Sequence, residues 1–411
     1  HDALPIEELP AFVVNGVPHR FIGFKPGEFD RRLFMDNLKK VVTESVGVIG
    51  DIPYSQYTFI AIGPGQGGIE HLNSTTFGFA GESMKTPAGN SRMYKFLAHE
   101  YFHHFNVKRI RPVELGPFDY NKENRTNMLW VSEGFTVYYD ELVTRRAGVI
   151  TVDEFFKGIS QRIAGYENTP GHLYQTAVDA SANTWSDGPF GRTDDEMNKT
   201  ISVYEKGAIL GALLDLKIRD ASKGQKSLDD VMKFLYNDFY KKKKRGFTEN
   251  EFRQVCEQIA GTALSEFFDY TSTLKPLDYK KYFGYAGLNI DTSPKQVPGA
   301  WLGISTRTRN DSLLVTAVEY ESPAWNKGIR RGMVIVEIDG KKTEGLSGPM
   351  ITDHNSGEQV KLSVVFKGNR NEFTVPLTTK FVPDFTLSPV ENPTPLQQGI
   401  LKKWSADGSK K

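Results

Sequence analysis

Residues 99–103 read His-Glu-Tyr-Phe-His, inside an apolar, helix-compatible stretch that begins near Ser91. Four residues are slightly more than one helical turn, so His99 and His103 project from one face with imidazoles close enough to share an ion. Glu100 lies beside them, where it can act as a base on water held at such an ion. His104 is rotated by about 100° from His103 on an ideal helix and reads as structural. Zinc that does hydrolytic chemistry keeps three protein ligands and one open position. The third ligand expected is Glu133, in Leu-Trp-Val-Ser-Glu-Gly-Phe-Thr-Val-Tyr-Tyr (129–139), a carboxylate just after an aromatic and apolar run. Asp140 follows two turns along the same face, where it can accept the second ring proton of a ligating histidine.

Working outward, Met93, Phe96, Leu97 and Phe102 fall on related helix faces, and residues 129–143 repeat that periodicity. Pro112 and Pro117 mark an ordered loop between the two helices. Upstream, residues 1–50 open with a Pro-rich approach and continue as a helix over 29–46. Residues 57–62 form a short strand that ends at the Gly-rich stretch 63–68. Downstream, 152–166, 201–219, 227–241 and 248–258 read as amphipathic helices, the third started by Ser227 with Asp229 and Asp230. Residues 167–200, rich in Gly, Asn, Asp, Ser and Thr, are expected to be a long surface or cleft-lining loop. Near residue 290 the composition changes. Residues 291–299 read as a linker, and 301–305, 313–318, 333–338 and 360–366 are strand-like around turns such as Asp339-Gly340. The last 25 residues, with several prolines and a Lys-ending tail, are expected to be extended or poorly ordered.

Composition excludes several classes. The 411 residues carry 51 Lys plus Arg against 50 Asp plus Glu, a net charge of +1, which gives no electrostatic case for nucleic acid or an anionic membrane as partner. The run Lys241–Lys244 reads as a solvated helix face. One cysteine, Cys256, excludes an intramolecular disulfide framework and a cysteine-rich zinc site, and is compatible with a periplasmic, secreted or cytoplasmic protein. No apolar run approaches the roughly 18–20 residues of a membrane span. Residue 1 is His rather than Met, as expected of a processed or truncated chain.

Beyond the histidine motif, His-Glu-Tyr-Phe-His-His-Phe-Asn-Val-Lys-Arg-Ile-Arg-Pro (99–112), Gly-Pro-Phe-Asp-Tyr (116–120), Trp-Val-Ser-Glu-Gly-Phe-Thr-Val-Tyr-Tyr (130–139) and Ile-Ser-Val-Tyr-Glu-Lys-Gly-Ala (201–208) follow in order. Together they resemble the glycyl aminopeptidase family, gluzincin zinc peptidases with a C-terminal PDZ domain, over residues 50–380. The resemblance implies that His99, His103 and Glu133 hold Zn²⁺, that Glu100 is the general base and that Tyr204 stabilises the oxyanion. Gly-Gly-Ile-Glu-His (67–71) resembles the Gly-x-Met-Glu-Asn segment of related aminopeptidases, with Ile69 and His71 in place of Met and Asn. By that likeness the backbone at Gly67 and Gly68 aligns the substrate and Glu70 holds its free amine. Residues 300–380, through 301–304, 322–324 and 328–340, resemble a bacterial protease-type PDZ domain, which implies capture of a peptide C-terminus. The family has a β-rich domain before its catalytic part, and residues 1–50 are too few for it, so the resemblance implies that this domain is truncated or missing.

The resulting expectation is a multi-domain chain: an α-rich, thermolysin-like catalytic domain over 1–290, a small β-rich PDZ-like domain over 297–381 and a tail over 382–411. The expected activity is zinc-dependent removal of small N-terminal residues from peptides. A zinc endopeptidase keeps the same metal chemistry without amine capture, and a PDZ-based scaffold would use the second domain alone. A serine hydrolase is disfavoured by the lack of a Gly-x-Ser-x-Gly elbow.

Overall fold

The computed structural model describes residues 6–192, 198–309, 312–344 and 354–406. The Pro-rich opening is not an unstructured approach. It folds as a hairpin of β1 (Ile6–Val14) and β2 (Val17–Phe24) around Asn15-Gly16, both at positive φ, the turn whose twist matches paired strands. Pro10 sits where the register slips between Leu9 and Phe12, a position that spares the ladder a missing donor. Helix α1 (Arg31–Ile49) starts at Asp30, whose side chain accepts from the Leu33 amide, and stops at Gly50 in the left-handed region. It buries Phe34, Leu38, Val41 and Val42. Strands β3 (Tyr57–Ile62), β4 (Gly68–Glu70) and β5 (Ser74–Gly78) complete a five-stranded sheet of order β1-β2-β3-β5-β4. β3 lies parallel to β2 and β5, and β4 is the edge strand, antiparallel to β5.

Helix α2 (Pro87–Phe102), capped by Thr86 with proline in its first turn, carries the histidine motif. It packs against α1 and against α4 (Gly134–Arg146), which follows the single turn α3 (Leu129–Ser132). Helix α5 (Val152–Glu167) begins with a capping box of Thr151 and Glu154. The stretch expected to be loop contains α6 (Ala177–Ala182) and α7 (Thr184–Asp187), and its residues 193–197 lie outside the described residues. A Thr176–Asp179 capping box starts α6, a signal hidden in the polar composition. Helix α8 (Val203–Ala221) is buried on nearly every side. α9 (Leu228–Phe234) runs into a π-helical stretch, Leu235–Lys243, where Lys241 and Lys243 pair with Asp51 and Asp238. α10 (Glu249–Ala260), α11 (Ser265–Ser272) and α12 (Tyr279–Gly284) close the helical layer.

The expected linker is paired rather than free. β6 (Leu288–Asp291) and β7 (Pro294–Gln296) lead out to the second unit. They pair with the returning strands β15 (Thr386–Pro389) and β14 (Phe381–Pro383). Between them β8 (Ile304–Arg309), β9 (Ser312–Val318), α13 (Pro323–Asn326), β10 (Val334–Ile338), β11 (Lys341–Lys342), β12 (Gln359–Phe366) and β13 (Asn369–Pro376) form a β-rich unit. It has its own core of Leu302, Val315, Ile329, Ile335, Leu362 and Val375. The C-terminal segment also departs from expectation. α14 (Pro395–Trp404) docks on the helical layer and buries Ile400 and Trp404 in the first core. Residues 407–411 lie outside the described residues.

Candidate metal centre

The site is built where α2, α3, α4, α8 and the edge strand β4 meet. Histidines four apart on α2 bring His99 Nε2 and His103 Nε2 to 3.0 Å from each other. Their outer ring nitrogens are engaged. His103 Nδ1–H donates to the Asn106 carbonyl at 2.7 Å, and His99 Nδ1 faces Asp140 Oδ2 at 3.5 Å. Engagement of Nδ1 leaves each Nε2 with its lone pair inward, as a ligating imidazole requires.

Glu133 sits at the junction of α3 and α4, with Oε2 at 3.3 Å from His103 Nε2 and 3.7 Å from His99 Nε2. His99, His103 and Glu133 each offer one donor atom, all within 4.8 Å of one another. That Glu133 oxygen is buried without a hydrogen-bond partner, a condition expensive to maintain unless an ion completes it. Two neutral imidazoles and a carboxylate suit a borderline ion such as zinc. Burial opposes charge on His99, but Asp140 and Glu133 outweigh it and raise its pKa to about 10. Burial acts against the Glu133 carboxylate too, and the two imidazoles overcome it and hold its pKa far below the usual range. Asp140 and Glu133 thus favour positive charge at this point, as a proton on the imidazoles or as a metal ion that takes its place.

Glu100 faces the edge strand. A methyl group on Gly68 would lie 2.6 Å from the Glu100 carboxyl carbon, so only glycine lets the two meet. Burial pushes the Glu100 carboxyl up, against the pull of His99 and His103. Tyr204, on the first turn of α8, stands 6.1 Å ring to ring from His99 and stacks on Phe190 at 4.8 Å. Burial and then the Glu133 charge raise the Tyr204 phenol well above its ordinary value, so it stays a donor. Its approach depends on a glycine contact: a methyl on Gly134 would fall 2.2 Å from the Gly207 Cα, so α4 and α8 cross backbone to backbone.

Glu70 ends β4 and pairs with Lys108 at 2.9 Å. Burial raises its pKa, and His103 and Lys108 reverse that and hold it ionised. Lys108 was not anticipated. It sits in the turn after α2, where Arg109 Nη1 binds the carbonyls of His104 and Leu72 and ties that turn to the end of β4. Asn106 was also missed. Its amide donates to the carbonyls of Val131 and Ser132 and to Thr136 Oγ1, joining the end of α2 to the Glu133 junction. His104 is buried with both ring nitrogens unpartnered among Tyr54, Tyr57 and Tyr101, away from the ligand cluster as the helical angle required.

Two imidazoles and a carboxylate around one point, with a second carboxylate beside them, could hold a metal ion on this helix-rich fold. Residues 92–210 match the model of the M61 glycyl aminopeptidase family, and residues 300–377 match that of the PDZ domain. The chain is thus a peptidase with a region of the M61 glycyl aminopeptidase type over residues 92–210, followed by a PDZ domain. An aminopeptidase N family protein from Idiomarina loihiensis shares the fold, with a TM-score of 0.85 and 22% identity over 98% of this chain and 71% of that one. An M1 zinc metallopeptidase from Deinococcus radiodurans is more remote, with a TM-score of 0.45 and 16% identity over 66% of this chain and 53% of that one. No curated protein matches the sequence.

Proposed function

We propose that the chain is a zinc aminopeptidase that removes small N-terminal residues, glycine or alanine, from peptides. The observation that carries this reading is the convergence of His99, His103 and Glu133 beside a Glu100 carboxyl that abuts the edge strand at Gly68. The preference for small residues rests on the glycyl description of the matched family. Bound zinc would supply Lewis acidity for the scissile carbonyl and for the attacking water.

The residues do the rest. Glu100 takes the proton of the attacking water and returns it to the leaving amine. The Tyr204 phenol donates to the oxygen that gains charge in the transition state, and loss of one such donor typically lowers turnover by ~10²–10³. An extended substrate adds to the β4 edge at Gly67 and Gly68 through backbone hydrogen bonds. Its ammonium group goes to Glu70, which Lys108 keeps ionised until then. A charge-assisted contact of that kind is worth about 1.5–3 kcal/mol, or about 10–150-fold in kcat/KM. The PDZ domain is the second peptide-binding element, with a C-terminal carboxylate as its expected ligand.

The test pairs metal analysis with kinetics on an alanyl arylamide and its N-acetylated twin. About one zinc per chain is expected, lost in His103→Ala and retained in Glu100→Gln, which should lose nearly all turnover. The free-amine substrate should be favoured, and Glu70→Ala should erode that preference. Equal rates on the two substrates in the wild type would replace this reading with a zinc endopeptidase.

A further inference from the structure

Beyond Gly67, on the opposite side of Gly68 from Glu70, a cavity of about 360 Å³ opens between the glycine loop that leads into β4, the end of β5 and α2. Its lining includes Gly67, Gly78, Ser83, Arg92, Met93 and Phe96. Phe96 precedes His99 by three residues, so its ring shares the catalytic face of α2, and the cavity begins where that face ends. Arg92 lies four residues before Phe96, at the far end of the same stripe, and is exposed.

The charges near the site differ in one respect. Lys95 pairs with Glu141 at 2.7 Å and Lys108 pairs with Glu70 at 2.9 Å. Among the described residues Arg92 has no acidic partner, although it lines the cavity. A guanidinium at the wall of a largely apolar cavity is a fork for a carboxylate.

We propose that this cavity receives the residues on the leaving side of the scissile bond, and that Arg92 binds a carboxylate two or three residues beyond that bond. The favoured substrates are then tripeptides and tetrapeptides. The assignment rests on the aminopeptidase reading, because Glu70 at one end of β4 fixes which end of the strand takes the leaving side. The length follows from the helix. Arg92 and Glu100 are separated by eight residues, a rise of about 12 Å. Two or three extended residues cover about 7–10 Å, and a charge-assisted hydrogen bond of about 2.8 Å closes the remainder.

The experiment compares kcat/KM for Ala-Ala-Ala, its C-terminal amide, Ala-Ala-Glu amide and an alanyl arylamide, in wild type, Arg92→Gln and Arg92→Glu. In wild type the free acid should exceed its amide by roughly three- to tenfold, as a partly exposed ion pair allows. The ratio should approach one in Arg92→Gln and invert in Arg92→Glu. Ratios are taken within each variant, so a general loss of stability cancels. Ala-Ala-Glu amide distinguishes the carboxylate's source: rates like the free acid admit an acidic side chain, and rates like the plain amide restrict the site to the C-terminus. Equal acid and amide rates in wild type, or a wild-type ratio in Arg92→Gln, overturn the proposal while arylamide cleavage leaves the aminopeptidase reading standing. Failure to cleave the arylamide overturns both.

Discussion

At Gly68 a hydrogen atom is the largest side chain the site accepts, because a methyl would fall 2.6–3.0 Å from the atoms of the Glu100 carboxyl group. The carboxyl is the end of a flexible side chain and would yield, so Gly68→Ala should fold and keep its metal. The displaced group is the proposed base, however, and a misplacement of about 1 Å at reacting groups can lower turnover by ~10². Gly68→Ala is therefore expected to lose kcat by that order with zinc content intact, and a kcat near wild type would remove Gly68 from the argument. Residue identity was legible in sequence wherever chemistry is rare. His99, Glu100, His103 and Glu133 could be named from spacing and residue type alone. Lys108 and Asn106 could not, because lysine and asparagine are common in turns and nothing local marks which partner they will find.

At the scale of elements, the helix expected over 129–143 is interrupted at its most important residue. The Asn106 amide takes up the carbonyls of Val131 and Ser132, which in an unbroken helix would accept from the next turn. The Asn106 carbonyl meanwhile receives the His103 ring proton. One residue thus sets both the orientation of the His103 ring and the junction that carries Glu133. Asn106→Ala keeps that carbonyl and removes only the amide, so the variant isolates the second role. It should weaken zinc binding by ~10–100-fold, the usual effect of losing support behind a ligand, as measured by competition with a chromogenic chelator. Unchanged affinity would mean that the junction holds without the amide. The hairpin β1–β2 was legible in principle at Asn15-Gly16, but prolines in both strands masked the alternation on which a strand assignment depends.

At the scale of the molecule, the C-terminal helix closes the first core. The Trp404 ring contacts Phe155, Phe156 and Phe283, and its Nε1–H donates to the Tyr138 hydroxyl at 2.8 Å. Tyr138 in turn donates to Asp215 on α8, and Arg145 on α4 binds the Ser405 carbonyl. The last segment thereby braces α4 and α8, two of the helices around the site. Trp404→Ala should cost about 3–5 kcal/mol, read as a lower urea midpoint for the unfolding of the peptidase region. A midpoint equal to wild type would show that α14 does not contribute to that core. The PDZ domain is tied to the peptidase region at another point. The Asn198 side chain donates to the Val318 carbonyl and accepts from the Tyr320 amide, a contact between segments whose sequences carry no sign of each other.

The sequence alone determined the local facts: a helix that presents two histidines and a carboxylate on adjacent faces, a glutamate after an apolar run, a strand ended by glycines and a β-rich second unit. These depend on periodicity and residue chemistry within a few turns of the chain. The tertiary structure decided which distant groups meet. It brought Gly134 onto Gly207, so that Tyr204 stands beside His99 and Glu133, and closed the core with Trp404. It also set Lys108 on Glu70 and put Arg92, which has no acidic partner among the described residues, at the wall of a cavity. Such encounters are fixed by the packing of whole elements, where close approach and burial select among partners that local sequence leaves equivalent.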